Sequence, residues 1–117
     1  MKENIIQEKS YKFAIRIVRL YQFLTKEKKE FVLSKQVLKS GTSIGANIEE
    51  AIGGQSKNDF KSKISIAYKE ARETLYWIRI LRDTEYINEK QAESIIEDIN
   101  EILKIITSFQ KSIKIKE

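Results

Sequence analysis

Ile95, Ile99, Ile102, Ile106, Phe109 and Ile113 follow one another at alternating steps of four and three residues. That period belongs to a helix of 3.6 residues per turn and not to a strand, whose faces alternate every second residue. A helix with so regular an apolar stripe must lay it against other apolar surfaces of similar length. The rest of the chain is free to supply them as helices, because its 117 residues include no proline and only 4 glycines. Turn chemistry for hairpins is nearly absent, and an all-α fold is expected.

Three further segments carry helical stripes. The first, from about residue 5 to 26, places Phe13, Ile17, Leu20 and Leu24 on one side, with Ala14, Val18 and Tyr21 widening it. Ser34 is the expected N-cap of the second, whose inward stripe is Val37, Gly41, Ile44, Ile48 and Ala51 or Ile52. Gly53-Gly54 should end that helix, since glycine accepts the left-handed conformation. Ser56 with Asp59 reads as the cap of the third segment, residues 57 to 83, which should bury Phe60, Ile64, Ala67, Ala71, Leu75 and Ile78. Asn88 with Gln91 forms a capping box for the last helix, and Ile87 with Ala92 a hydrophobic staple. Four helices of about 20 residues with short connectors predict a single domain over residues 1–117, an antiparallel up-down-up-down four-helix bundle.

The stretch SIGANIEEAIGG, residues 43 to 54, qualifies that simple picture. Gly41 and Gly45 lie four apart on one face, where each costs about 1 kcal/mol relative to alanine. Close approach of a neighbouring helix is the expected return. The flanking sequence is too polar for a membrane GxxxG pair, and no GKS or GKT follows to make a phosphate loop. Ser43, Asn47 and Glu50 form a polar row beside the glycines, with Lys69, Glu70 and Glu73 of the third helix as candidate partners. Registry of two helices is the role expected of this row.

SGTSIGANIEEA, followed by SKNDFKSKISIAYKEARETLYWIRIL, resembles the signature of the four-helix-bundle proteins encoded within intervening sequences of bacterial 23S ribosomal RNA genes. The likeness runs from the first helix through the last. Many members read closer to SIPxNIAEG, so Gly45 stands here for a frequent proline and Ala51 for a frequent glycine. The resemblance implies compact bundles assembled as ring-like homopentamers. It also extends to the accessory proteins of diversity-generating retroelements, which bind nucleic acid and a reverse transcriptase. A polymerase-type polypeptide partner is therefore implied as an alternative to direct nucleic-acid binding.

Two surfaces are candidates for such contacts. Ile66, Trp77 and Ile80 share a face of the third helix and are expected at a subunit interface. Lys61, Tyr68, Arg72, Tyr76 and Arg79 follow another face of that helix, while Lys12, Arg16 and Arg19 line the first. Together they could hold phosphates and stack on unpaired bases, in keeping with a formal charge of +5. A solvated face laced by pairs such as Lys69 with Glu73 is the plainer account of the same residues.

Catalysis has little support in the sequence. Without histidine the usual general base and the di-iron Glu-x-x-His ligand set are both missing, and without cysteine so are thiolates and disulfides. Glu49, Glu50, Glu70 and Glu73 could offer oxygen ligands to a hard cation, but no pattern demands one. No cofactor is expected. MKENIIQEKSYKF lacks the apolar core of a signal peptide, and no window is apolar enough to span a bilayer. The expected location is the cytoplasm, with no membrane partner.

Overall fold

The chain forms four helices in the computed structural model, which describes the backbone of residues 2–116 and the side chains of residues 5–114. They are α1 (Lys2–Lys26), α2 (Leu33–Ile52), α3 (Lys57–Asp83) and α4 (Glu89–Lys116). No strand occurs among the described residues. Each helix packs beside its two neighbours in the square α1–α2–α3–α4, and among the described residues the backbones of the diagonal pair α1 and α3 do not approach each other closely.

Neighbouring helices run in opposite directions, as their cross-contacts show. Gln7 on α1 meets Glu49 on α2, while Ile17 lies against Gly41. Ser40 on α2 meets Thr74 on α3, and Glu50 meets Lys63. Phe60 at the start of α3 packs edge-on against Phe109 near the end of α4, with centroids 6.0 Å apart. The result is a rod of 47 × 21 × 20 Å.

The predicted stripes build its core. Phe13, Ile17, Leu20, Leu24, Val37, Ile44, Ile48, Ala51, Ile64, Ala67, Ala71, Ile78, Ile95, Ile99, Ile102, Ile106 and Phe109 are all buried. Each fully buried isoleucine contributes about 1.5–3 kcal/mol of transfer free energy. Phe60, Leu75 and Ile113 are only half-buried, and Val18 is exposed because it lies too far round α1 from the Ile17 stripe.

Gly41 and Gly45 sit where α2 meets α1. A Cβ on Gly41 would lie 2.8 Å from both Cγ atoms of Ile17, and one on Gly45 would lie 3.2 Å from the Ser10 carbonyl oxygen. The glycines therefore let α1 settle directly on the α2 backbone.

Two helix ends are built differently from expectation. Ser34 is not the N-cap of α2; it lies inside the helix, buried, with its hydroxyl donating to the Glu30 carbonyl at 2.9 Å. The cap is the Glu30 carboxylate, which accepts from the backbone N–H groups of Val32, Leu33 and Ser34 at 3.1, 2.9 and 2.7 Å. The other correction concerns Gly53, which ends α2 at φ −82°, so no left-handed glycine is used. Gly54 matters for space instead, since a Cβ there would lie 3.3 Å from the Ala51 and Glu50 carbonyls and from Asp59.

The left-handed positions are Lys29 (φ 54°) after α1 and Glu85 (φ 67°) after α3. At the first, Glu30 N–H reaches six residues back to the Leu24 carbonyl at 2.9 Å; at the second, Tyr86 N–H bonds the Leu81 carbonyl at 2.9 Å and Glu85 N–H the Arg82 carbonyl at 3.1 Å, a Schellman turn. The two remaining caps form as the sequence suggested. Ser56 accepts from Asp59 N–H at 3.1 Å, and Asn88 and Gln91 exchange side chain-to-backbone bonds at 2.8 and 3.0 Å.

Candidate functional site

The basic row of α1 is largely consumed by the fold. Arg16 donates through Nη1 to Asp98 Oδ2 at 2.7 Å and to the Ser94 carbonyl at 3.2 Å, and through Nη2 to Ser94 Oγ at 2.7 Å. Two turns earlier Lys9 pairs with Glu101 of α4. Lys12 pairs with Glu8 of its own helix at 2.8 Å, and that hydrogen bond, with the ammonium charge, holds the Glu8 carboxyl below its ordinary value. Arg19 is exposed and makes no ion pair among the described residues.

The row on α3 is different. Arg72 and Arg79 are exposed and form no ion pair among the described residues, and Lys61 and Tyr76 are exposed beside them. Tyr68 is half-buried against the core, which leaves it little freedom to stack on a base. Tyr76 leans edge-on against Trp77, with centroids 5.2 Å apart. Across the α3/α4 seam, Lys61 and Lys114 line one shallow groove with Ser65, Gln110 and Ile113. Lys104, Lys111 and Lys114 of α4 are exposed and unpaired among the described residues. The α1 and α3 rows stand on diagonal helices, so they do not join into the single surface the sequence suggested; because α3 and α4 are antiparallel, only the Lys61 end of the α3 row lies beside the basic second half of α4, while Arg72 and Arg79 lie toward its acidic first half.

The candidate interface residues split as well. Ile66 is exposed, whereas Trp77 and Ile80 are half-buried, and the Trp77 ring packs on the core while Nε1–H donates to Glu73 at 3.1 Å. A larger apolar strip appears on α1, where Tyr11, Ile15 and Val18 are 65%, 42% and 39% exposed. Their spacing of four and three was visible in the sequence. It was masked by the stronger stripe through Ile17, from which it is rotated by more than a quarter turn.

The polar row of α2 faces α3, and of the partners first expected only Glu70 stands against it. The Ser43 hydroxyl donates to its own-helix Lys39 carbonyl at 2.6 Å and stands beside the Glu70 carboxyl of α3. Asn47 donates to the Ser43 carbonyl at 2.8 Å, within its own helix. Glu50 pairs with Lys63 at 2.9 Å rather than with Lys69, which is exposed. Burial and the adjacent Glu73 raise the Glu70 carboxyl above its ordinary value, against the pull of Ser43 and Lys39. Beneath this row the Ser40 and Thr74 hydroxyls lie 2.9 Å apart in full burial, a tie between α2 and α3 that the apolar pattern gave no hint of.

Glu49 accepts from Gln7 of α1, and Glu50 turns to Lys63, so the four motif-region glutamates do not converge. Among the described residues no group of three acidic side chains comes together as a cation site. No described helix is long and apolar enough to cross a membrane.

Four helices packed side by side with charged side chains along the outer seams define an all-α four-helix bundle. The chain belongs to the 23S rRNA-intervening sequence protein family, whose model matches residues 2–108. It is also similar, at 57% identity and a TM-score of 0.94, to a crystal structure from Bacteroides thetaiotaomicron of a protein with unknown function from the S23 ribosomal protein family. That likeness covers 95% of this chain and 99% of the other. No curated protein matches the chain.

Proposed function

We propose that this protein is a non-enzymatic, homo-oligomeric bundle that binds RNA or DNA through the seam between α3 and α4. The supporting observation is the contrast between two basic rows. Arg16 and Lys12 are held by acidic partners, while Arg72, Arg79, Lys104, Lys111 and Lys114 stand exposed without ion pairs among the described residues. Unpaired cations spread along a rigid rod are what an extended phosphate backbone requires, since each displaces a condensed counterion. The names of the family and of the structural neighbour both refer to ribosomal components, which fits a polyanionic partner.

Self-association is assigned to the apolar strip of Tyr11, Ile15 and Val18, with Ile66 as a second contact. Stripes of this kind become subunit contacts when a second copy covers them. The family resemblance makes a pentamer the expected assembly.

Light scattering with the ratio of absorbance at 260 and 280 nm, on freshly purified protein, reports assembly and co-purifying nucleic acid together. Filter binding should weaken steeply with salt, and Arg72→Glu with Lys111→Glu should weaken it further. Binding that ignores both salt and these reversals would remove the nucleic-acid part of the proposal. Recovery of a polypeptide partner after nuclease treatment, with no direct binding, would support the scaffold alternative instead.

A further inference from the structure

The connector between α1 and α2 is more firmly built than a simple crossing requires. Glu30 is 8% exposed, yet its carboxylate meets three backbone N–H groups and no cation. Its own N–H is tied to the Leu24 carbonyl, and its carbonyl accepts from Ser34. The two residues that follow point the other way: Phe31 is 54% and Val32 71% exposed. Lys26, Lys28, Lys29 and Lys35 flank them along the chain, exposed and without ion pairs among the described residues, and Glu27 is the one exposed acid between residues 26 and 35. A buried carboxylate thus pins an apolar pair outward in a connector rich in exposed lysines.

The exposed area of Phe31 and Val32 together is roughly 200 Å², far below the 800 Å² or so per partner of a stable protein interface. It suffices for one base. We infer that this tip is a base-stacking wedge: Phe31 lies on the face of an unpaired base of single-stranded RNA or DNA, while Lys28 and Lys29 hold the flanking phosphates. The tip lies at the end of the bundle, where Phe23 and Lys28 line one side of a shallow dish whose far side carries the Arg82–Asp83 pair, Glu85 and Glu89, so a strand on the wedge would pass on the lysine side. The inference rests on the nucleic-acid reading above and adds the class of target, a strand whose bases are accessible.

The test measures binding of the full-length protein to a 20-nucleotide single strand carrying 2-aminopurine, against the same sequence as a duplex. Preference for the single strand is expected, and equal or stronger binding of the duplex would overturn the wedge. Phe31→Ala should weaken single-strand binding about tenfold with the salt dependence unchanged, and Phe31→Trp should restore it. Lys28→Ala with Lys29→Ala should instead flatten the slope of log affinity against log salt by about 1.4. Thermal melts of all three variants should match the parent, because these side chains are exposed. Unchanged affinity of Phe31→Ala, alongside loss of binding in Arg72→Glu, would sink the wedge and leave the α3/α4 seam standing. Absence of any binding by the parent protein would remove both. If Phe31→Ala changes only the oligomer mass, or only sedimentation with phosphatidylserine vesicles, the occupant is a second copy or a lipid surface and the wedge is overturned.

Discussion

Arg16 and Asp98 join α1 to α4 at 2.7 Å, with Ser94 taking two further hydrogen bonds from the same guanidinium. No other pair of neighbouring helices touches so little as these two, so the fork closes the least-packed side of the square. Both side chains are more than a third exposed, which moderates the value of the pair. Arg16→Ala should cost about 1 kcal/mol by urea denaturation, with a coupling of about 0.5–1 kcal/mol to Asp98→Ala in a double-mutant cycle. The charge reversals separate the two basic rows. Arg16→Glu should lower stability with little specific loss of nucleic-acid affinity, and Arg72→Glu should do the opposite.

Gly41 and Gly45 look equivalent in sequence, but their surroundings differ. Alanine at 41 would drive its Cβ to 2.8 Å from a fully buried Ile17, which cannot retreat without disturbing the core. Overpacking of about 1–3 kcal/mol outweighs a propensity gain of about 1 kcal/mol, so Gly41→Ala should lower the urea midpoint. At 45 the nearest atom is the Ser10 carbonyl at 3.2 Å, a tight contact needing only a small shift, so Gly45→Ala should be close to neutral.

Burial raises the Glu30 carboxyl, but the three backbone N–H groups it accepts from, with the Ser34 side chain, outweigh that and hold it below its ordinary value of 4.5. A lowered folded value means stability is fully present above the unfolded value and is lost as the pH falls through the folded one. Glu30→Ala should therefore cost about 2 kcal/mol at pH 7, by loss of a charged cap and exposure of three amide donors. The difference between parent and variant in chemical denaturation should shrink below about pH 4.

Glu70 carries the opposite sign. Its carboxyl is raised, first by burial and then by Glu73, so the folded protein holds this proton more tightly than the unfolded chain. Stability then declines as the pH rises from the unfolded value of 4.5 through the folded one. Glu70→Gln keeps a polar group of the same shape beside Ser43 and removes the charge that repels Glu73, so it should stabilise the protein at pH 7. The gain should disappear near pH 3, when denaturation curves of parent and variant converge.

The four stripes were readable in the sequence because an amphipathic helix writes its buried face at a fixed period, and Ile17, Ile48, Ile78 and Ile99 obey it without exception. The caps at Ser56 and at Asn88 with Gln91 were equally readable, since each bonds backbone within three residues of itself. Glu30 was not, because a carboxylate capping from two residues outside the helix has no fixed signature, and Ser34 offered the commoner one.

Periodicity along one helix also could not say which helices are neighbours. The pairing of Arg16 with α4 rather than with a ligand, the separation of the α1 and α3 basic rows across the diagonal, and the outward turn of Tyr11, Ile15 and Val18 all depend on that choice. Fold class and core were therefore determined by local spacing alone, since apolar burial acts on each helix face by itself. Which charges remain free for a partner was decided only by tertiary packing, because a cation is available or spent according to what stands beside it.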